Sequence, residues 1–238
     1  IQDCSYPPHE GNSQLLGRLR ELVVKQTGKN HKHVYATCGA TGGLNAAVYA
    51  YKKSSSYDRD TNLLNLVTND VFFPLYPAIA SVHGLTHNPL PKTSIHNIYE
   101  DIFLVDSPSN PIGDIYQGNV DIWDAAYAGV PYSKNQTGPK SYGIVVGSLS
   151  KTLGLSGLRL GYVATDDDIL AHNMLNYITA NTAGLSIQAQ KTAYMVLTEL
   201  QFNDRWVIFD KKATTMLDYN RELFQKVLDR FNQKQDLT

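Results

Sequence analysis

Cysteine is almost missing from this 238-residue chain, which has only Cys4 and Cys38. Two cysteines cannot build the disulfide framework of a small secreted scaffold, and their spacing is not that of a metal site. A reducing compartment, the cytoplasm, is therefore expected. Long apolar runs are missing too: none approaches the roughly 20 residues needed to cross a bilayer. Charge does not lean to one sign, with 21 Lys and Arg against 22 Asp and Glu. That balance offers neither a basic stripe for nucleic acid nor a polybasic face for a membrane. The first residues, Ile1-Gln2-Asp3-Cys4, show no charged leader followed by an apolar stretch. No internal repeat or low-complexity tract is visible. The seven histidines, from His9 to His172, form no ligand spacing, so no metal is expected, and His31-Lys32-His33 reads as a wet turn.

What is present alternates between two periods. Leu15, Leu16, Leu19, Leu22 and Val23 recur at helical spacing, with Asn12 or Ser13 available as a cap. Thr41 to Lys53 reads as a second helix, entered through the glycine-bearing turn Cys38-Gly39-Ala40. Short apolar runs at 63–68, 102–105, 120–123 and 144–148 read as buried strands, and 159–165 as another. Asp166-Asp167-Asp168 opens a helix with acidic groups at its positive end. From Ser186 to about Asn232 the pattern is helical, with a break near Asn203-Asp204, and Lys52 to Asp60 is a serine-rich loop. Strands mixed with helices predict an α/β domain on a mainly parallel sheet. The 15 tyrosines are mostly packing residues at a core edge or a subunit contact.

One segment stands out chemically: Gly147-Ser148-Leu149-Ser150-Lys151-Thr152-Leu153-Gly154-Leu155-Ser156-Gly157-Leu158-Arg159-Leu160-Gly161. Lys151 follows an apolar strand and sits among hydroxyls and glycines, with a guanidinium shortly after. Such a set suits an amine that attacks a carbonyl beside groups that hold a phosphate. Composition alone leaves a surface lysine or a phosphate loop open. The Gly-Lys-Ser/Thr order of a Walker loop is absent.

The segment SLSKTLGLSGLRLGY resembles the cofactor-lysine segment of fold-type I pyridoxal-phosphate-dependent aminotransferases. The resemblance implies a three-layer large domain of the pyridoxal-phosphate transferase type and pyridoxal 5'-phosphate as cofactor. Lys151 would hold that cofactor as a Schiff base, and Ser148 and Arg159, with Ser150 beside them, would bind its phosphate. Four further clusters fit the same family. Ser107-Pro108-Ser109-Asn110-Pro111-Ile112-Gly113 resembles its Asn-Pro-x-Asn-Pro-x-Gly segment, with Asn110 on the ring hydroxyl and Ser107 in place of the first asparagine. Trp123-Asp124-Ala125-Ala126-Tyr127 resembles its Asp-x-Ala-Tyr pattern, with Asp124 pairing the ring nitrogen and Tyr127 the ring oxygen. Thr37-Cys38-Gly39-Ala40-Thr41 precedes a helix, and there Gly39, Ala40 and Thr41 would wrap the phosphate. Tyr76, after Pro74-Leu75, would stack on the ring, with Phe72 and Phe73 as the nearby alternatives. Tyr6, in Tyr6-Pro7-Pro8-His9-Glu10-Gly11, would reach across a homodimer into the neighbour's site.

Two departures from the family matter. The link from Asn110 to Asp124 is too short for a full crossover helix, a shortening that resembles the alliinase branch. The C-terminal small domain is largely absent, leaving residues 1–200 as the cofactor-binding domain and 201–238 as a helical link. The arginine that usually clamps the substrate carboxylate has no match, and Arg205 is not promoted to that role. The implied reaction is transamination between an amino acid and a 2-keto acid. Carbon–sulfur bond cleavage of the alliinase kind, or a binding homologue with impaired catalysis, stands as the alternative.

Overall fold

A computed structural model of the protein describes residues 5–54, 65–90, 101–129, 138–201 and 205–235. Expectations for Cys4, for 55–60 and 63–64, for His96 and for a break at Asn203-Asp204 lie outside these residues. Helix α1 (Ser13–Thr27) starts where Asn12 caps it, the side-chain oxygen accepting from the Gln14 and Leu15 amides. It ends at Gly28 in the left-handed region. Its Leu15, Leu19, Leu22 and Val23 stripe is buried, as its spacing predicts.

The remaining elements are β1 (His33–Thr37), α2 (Gly39–Ser54), β2 (Asn65–Asn69), α3 (Tyr76–Val82), β3 (Thr86–Leu90), β4 (Asp101–Asp106) and β5 (Asn119–Asp124). They are followed by β6 (Ser141–Ser148), α4 (Leu149–Thr152), β7 (Gly161–Thr165), α5 (Asp168–Thr182), α6 (Ile187–Gln201) and α7 (Arg205–Gln235). Seven strands form one sheet in the order β1-β7-β6-β5-β4-β2-β3. Strands β2 to β6 pair parallel, and β7 lies antiparallel to both β6 and β1. This is the α/β architecture with a largely parallel sheet that the sequence predicts.

Alternation along the strands separates the two faces. Val105, Trp123, Val145, Tyr162 and Ala164 pack into the core beneath α1 and α6. Leu104, Ile122, Ile144, Val146 and Val163 face the opposite core, shared with α2, α3 and α5. Three layers result. The parity has a consequence for function: Asp106, Asp124 and Ser148 end β4, β5 and β6 two or four residues beyond Leu104, Ile122 and Ile144. All three therefore emerge at one sheet edge on the α2 face.

Several elements differ from the sequence reading. Lys52 to Ser54 continue α2 rather than beginning a loop. His31 is buried, its Nε2 3.0 Å from the Tyr142 hydroxyl, and His33 opens β1, so His31-Lys32-His33 is a strand entry and not a wet turn. The strand expected over 159–165 starts only at Gly161. A 3-10 turn over Ser156–Leu158 precedes it and ends on Arg159 in the left-handed region, φ 50°. Strand β3 has little apolar signal and contains Pro89, which its place at the sheet edge tolerates. Between β4 and β5 no helix forms, and the link is an irregular loop, as its length requires. Helix α7 packs on α6. None of the described helices is long and apolar enough to cross a membrane.

Gly161 is where backbone approaches backbone most tightly among the described glycines. It pairs with Thr37 on one side and Ser148 on the other. A Cβ there would lie 2.5 Å from the Gly147 carbonyl oxygen and 2.6 Å from the Gly39 carbonyl carbon, both backbone atoms that cannot rotate away. Gly161→Ala is expected to lower the unfolding free energy by roughly 1–3 kcal/mol, the cost of overpacking a close-packed interior. Urea titration followed by Trp fluorescence measures it, and an unchanged midpoint would contradict the contact.

Candidate active site

A cavity of about 210 Å³ opens at the edge where β4, β5 and β6 end. Ala40, Thr41, Asp124, Tyr127, Ser148, Ser150, Lys151 and Arg159, widely separated in sequence, all line it.

Asp124 is its buried floor, with 4% of its surface exposed. One carboxylate oxygen accepts from the Tyr76 hydroxyl at 3.0 Å and the other from the Ala126 amide at 3.0 Å. Burial pushes its pKa up to about 6, against the lowering effect of those two hydrogen bonds. Tyr76, expected to stack in the cavity, instead stands behind the wall. Its ring is fully buried and its hydroxyl orients Asp124, while Phe73, 5.7 Å away edge-to-face, lines the cavity in its place. Helix α3 opens with this Tyr and buries Ile79 and Ala80 beside it, so packing demands the position.

Asn110 reaches the cavity through a partner: its side-chain amide donates to the Tyr127 hydroxyl at 3.2 Å. Its loop is tightly bonded. The Asn110 amide donates to Asp106 at 2.7 Å, Asp114 to the Ser109 hydroxyl at 3.0 Å, and Tyr116 to the Ser107 hydroxyl at 3.0 Å. The Ser107-Pro108 and Asn110-Pro111 peptides are cis. Burial raises the Tyr127 phenol, and the nearby Asp124 and Asp106 carboxylates add to the effect.

The other end of the cavity is cationic and rich in donors. Ser148 caps the short α4, its hydroxyl accepting from the Ser150 amide at 3.1 Å. That turn projects Lys151 outward, with its Nζ 5.7 Å from the centre of the Tyr127 ring. Arg159 lies against the start of α2, and a Cβ on Gly39 would sit 3.0 Å from its guanidinium. Gly39 itself has φ +65°, so this turn excludes a side chain twice over. The start of a 16-residue helix and a guanidinium thus converge on one point, an arrangement that suits an anion.

Tyr6 is not among these residues. It is 85% exposed and borders a separate surface depression with Pro7 and Tyr194. The sequence reading did not single out Asp106 or Ser156, which line the cavity together with Phe73, its alternative to Tyr76. Asp106 had a visible signal, an acid ending an apolar strand, but the same pattern marks many ordinary turns.

Comparison with known proteins settles the lineage. A family model described as Allinase matches residues 12–237. The chain belongs to the alliinase family. Alliin lyase 2 from Allium sativum is 25% identical over 231 residues, 92% of this chain and 46% of that protein. Tryptophan aminotransferase-related protein 2 from Arabidopsis thaliana is 28% identical over 214 residues, 82% of this chain and 47% of its own length. The chain thus spans about half the length of these curated relatives. An aromatic aminotransferase from Pyrococcus horikoshii OT3 superposes with a TM-score of 0.75 at 17% identity, over 95% of this chain and 67% of its own. That likeness shows the fold. Family and fold together make this a member of the fold-type I pyridoxal-phosphate superfamily.

The donor set fits pyridoxal 5'-phosphate, the cofactor that membership implies. A buried acid, an amine and a guanidinium beside a helix start face one cavity, matching a ring nitrogen, an aldehyde and a phosphate. Gly39→Ala should push the Arg159 guanidinium from this position and strain the turn. About tenfold weaker binding of pyridoxal phosphate is expected, with stability lowered by no more than about 1–2 kcal/mol. Fluorescence titration beside urea unfolding tests this, and unchanged affinity would remove Gly39 and Arg159 from the anion site.

Proposed function

We propose that this chain is the cofactor-binding part of a pyridoxal-phosphate-dependent aminotransferase that moves an amino group between an amino acid and a 2-keto acid. The observation that supports it most is one cavity holding the Lys151 amine, the buried Asp124 carboxyl, the Tyr127 hydroxyl and the Arg159 guanidinium. When bound, the cofactor supplies an aldehyde that condenses with amines and a ring that withdraws electrons from the substrate carbon.

The chain's own residues do the rest. Arg159, the Gly39-Ala40-Thr41 turn and the Ser148 and Ser150 hydroxyls hold the phosphate and fix the ring's position. Asp124, oriented by Tyr76, keeps a proton on the ring nitrogen. Asn110 and Tyr127, already bonded to each other, meet the ring oxygen. Lys151, the cavity's amine, takes the proton from the substrate's alpha carbon and returns it as general acid. Phe73 supplies the aromatic wall. Among the described residues, Arg159 is the arginine of the cavity, and Arg205 pairs instead with Glu199 on the surface. Recognition of the substrate carboxylate therefore falls to groups outside this set. Residues 1–200 are assigned to the cofactor-binding unit and 201–238 to a link whose described part is helix α7. Tyr6, exposed at the surface, is assigned to a contact with a second copy in a homodimer.

A second reading, carbon–sulfur cleavage of the alliin lyase kind, draws support from the family match and from the helix-free link between β4 and β5. Both readings share the same proton abstraction and differ in what leaves.

Mixing the purified chain with pyridoxal phosphate should give a visible absorbance band that borohydride fixes covalently to the protein. Lys151→Ala should lose the band and at least about a thousandfold in turnover, the scale of a lost general acid–base. Identical spectra for parent and variant would remove Lys151 as the anchor. Consumption of a keto acid acceptor supports transamination, whereas ammonia and a thiol-type product without an acceptor support the lyase.

A further inference from the structure

Asp106 has no place in the scheme above, yet it stands in the middle of the site. It ends β4 directly beside Asp124 on β5, paired in register. Register partners on neighbouring parallel strands point to the same face, and those strands lie about 4.8 Å apart. Both carboxyls line the same cavity, and both are buried, at 3% and 4% exposure.

The groups facing this pair come from every element around it. Tyr76 of α3 donates to Asp124, and the Asn110 amide donates to Asp106. Tyr127 follows β5, Lys151 comes from α4, and Arg159 comes from the turn before β7. The two cations are exposed toward the mouth. Among the described residues, neither Asp106 nor Asp124 has an ion-pair partner. Two buried acids in this arrangement resist ionising together.

We propose that Asp106 and Asp124 hold one proton as a pair when the cavity has no ligand, and release it when a protonated heteroaromatic nitrogen enters. Asp106 is then a positioning residue that acts through Asp124, making the nitrogen end of the cavity a two-carboxylate site. The step balances simply. One carboxylic O–H bond breaks, its proton leaves to solvent, and the ring N–H⁺ then faces two carboxylates. The nitrogen-binding half rests on the cofactor reading above, whereas the pairing of the acids does not.

The sign follows from the acidities. Burial, with the neighbouring Asp124 charge, raises Asp106 to about 7, and burial raises Asp124 to about 6. Folded-state values above the unfolded ones mean that protonation favours the fold. Stability from these groups is present at low pH and is lost as pH rises through that window.

The full chain, labelled with carbon-13 at the Asp carboxyls, is titrated by NMR between about pH 4 and 9. Asp106→Asn keeps an acceptor for the Asn110 amide and removes only the acid. Its Asp124 carboxyl should then titrate in one step, without the second inflection that ionisation of Asp106 gives it in the parent. Asp124→Asn should lower the Asp106 midpoint by about one pH unit, because the Asp124 charge is one of the causes that raise it. Calorimetry at about pH 6.5 in two buffers of different ionisation enthalpy then uses the deoxy analogue of pyridoxine phosphate, which has the ring nitrogen and phosphate but no aldehyde. The parent should release about one more proton on binding than Asp106→Asn. An Asp106 midpoint that does not move in Asp124→Asn overturns the pairing. Equal proton release overturns the nitrogen-binding half. A parent that fails to bind the analogue overturns that half together with the cofactor reading, while a moved Asp106 midpoint would still support the pair.

Discussion

The site depends on how closely β7 can approach its surroundings. β7 runs against its neighbours, between β1 and β6, and its first residue is a glycine in register with both Thr37 and Ser148. Because no side chain intervenes, three backbones meet: the end of β1, the end of β6 and the start of α2. The residue two before that glycine is Arg159. Its guanidinium therefore arrives at the α2 terminus without any long-range adjustment. Every group assigned to the phosphate hangs from this junction, since Gly39 follows β1 and Ser148 closes β6.

A second constraint sets the other end. In parallel strands of matched register, the last residues fall along one edge, and strand parity decides which face they take. Asp106, Asp124 and Ser148 share that parity. Acid and hydroxyl thus face the helix whose positive end completes the cavity. The sheet separates the chemistry along its edge: a carboxylate pair over β4 and β5, and cations over β6 and β7. Such a polarity suits a ligand with a basic ring and a phosphate, and it would hold one in a single orientation.

Much of this was legible in the sequence. The α1 stripe, the strand runs that became β2, β4, β5 and β6, the cap of α1 and the acidic start of α5 all follow from period and local hydrogen bonding. The segment around Lys151 could be read because its glycines and hydroxyls serve a backbone geometry that few other roles require. What escaped were features decided by tertiary contacts. Strand β1 hides behind two histidines because His31 is buried through a bond from its Nε2 to Tyr142, far along the chain. Strand β3 owes its existence to pairing with β2 rather than to its own residues. Tyr76 and Phe73 were interchangeable to the eye, and only the packing of α3 decides which ring faces the cavity. Asp106 could not be told from a turn-forming acid until its register with Asp124 was known.

The loop from Ser107 to Gly118 replaces the helix that usually joins parallel strands, and its architecture is self-contained. Each of its first polar residues ties a later amide, and the Trp123 indole donates to the Ser107 carbonyl at 2.8 Å. A helix in that place would have drawn its position from packing against the sheet, so its shape would drift whenever the core beneath it changed. Here the shape is written in a dozen neighbouring residues. Asn110 is thus delivered by short-range bonds anchored at the ends of both strands, on Asp106 and on Trp123.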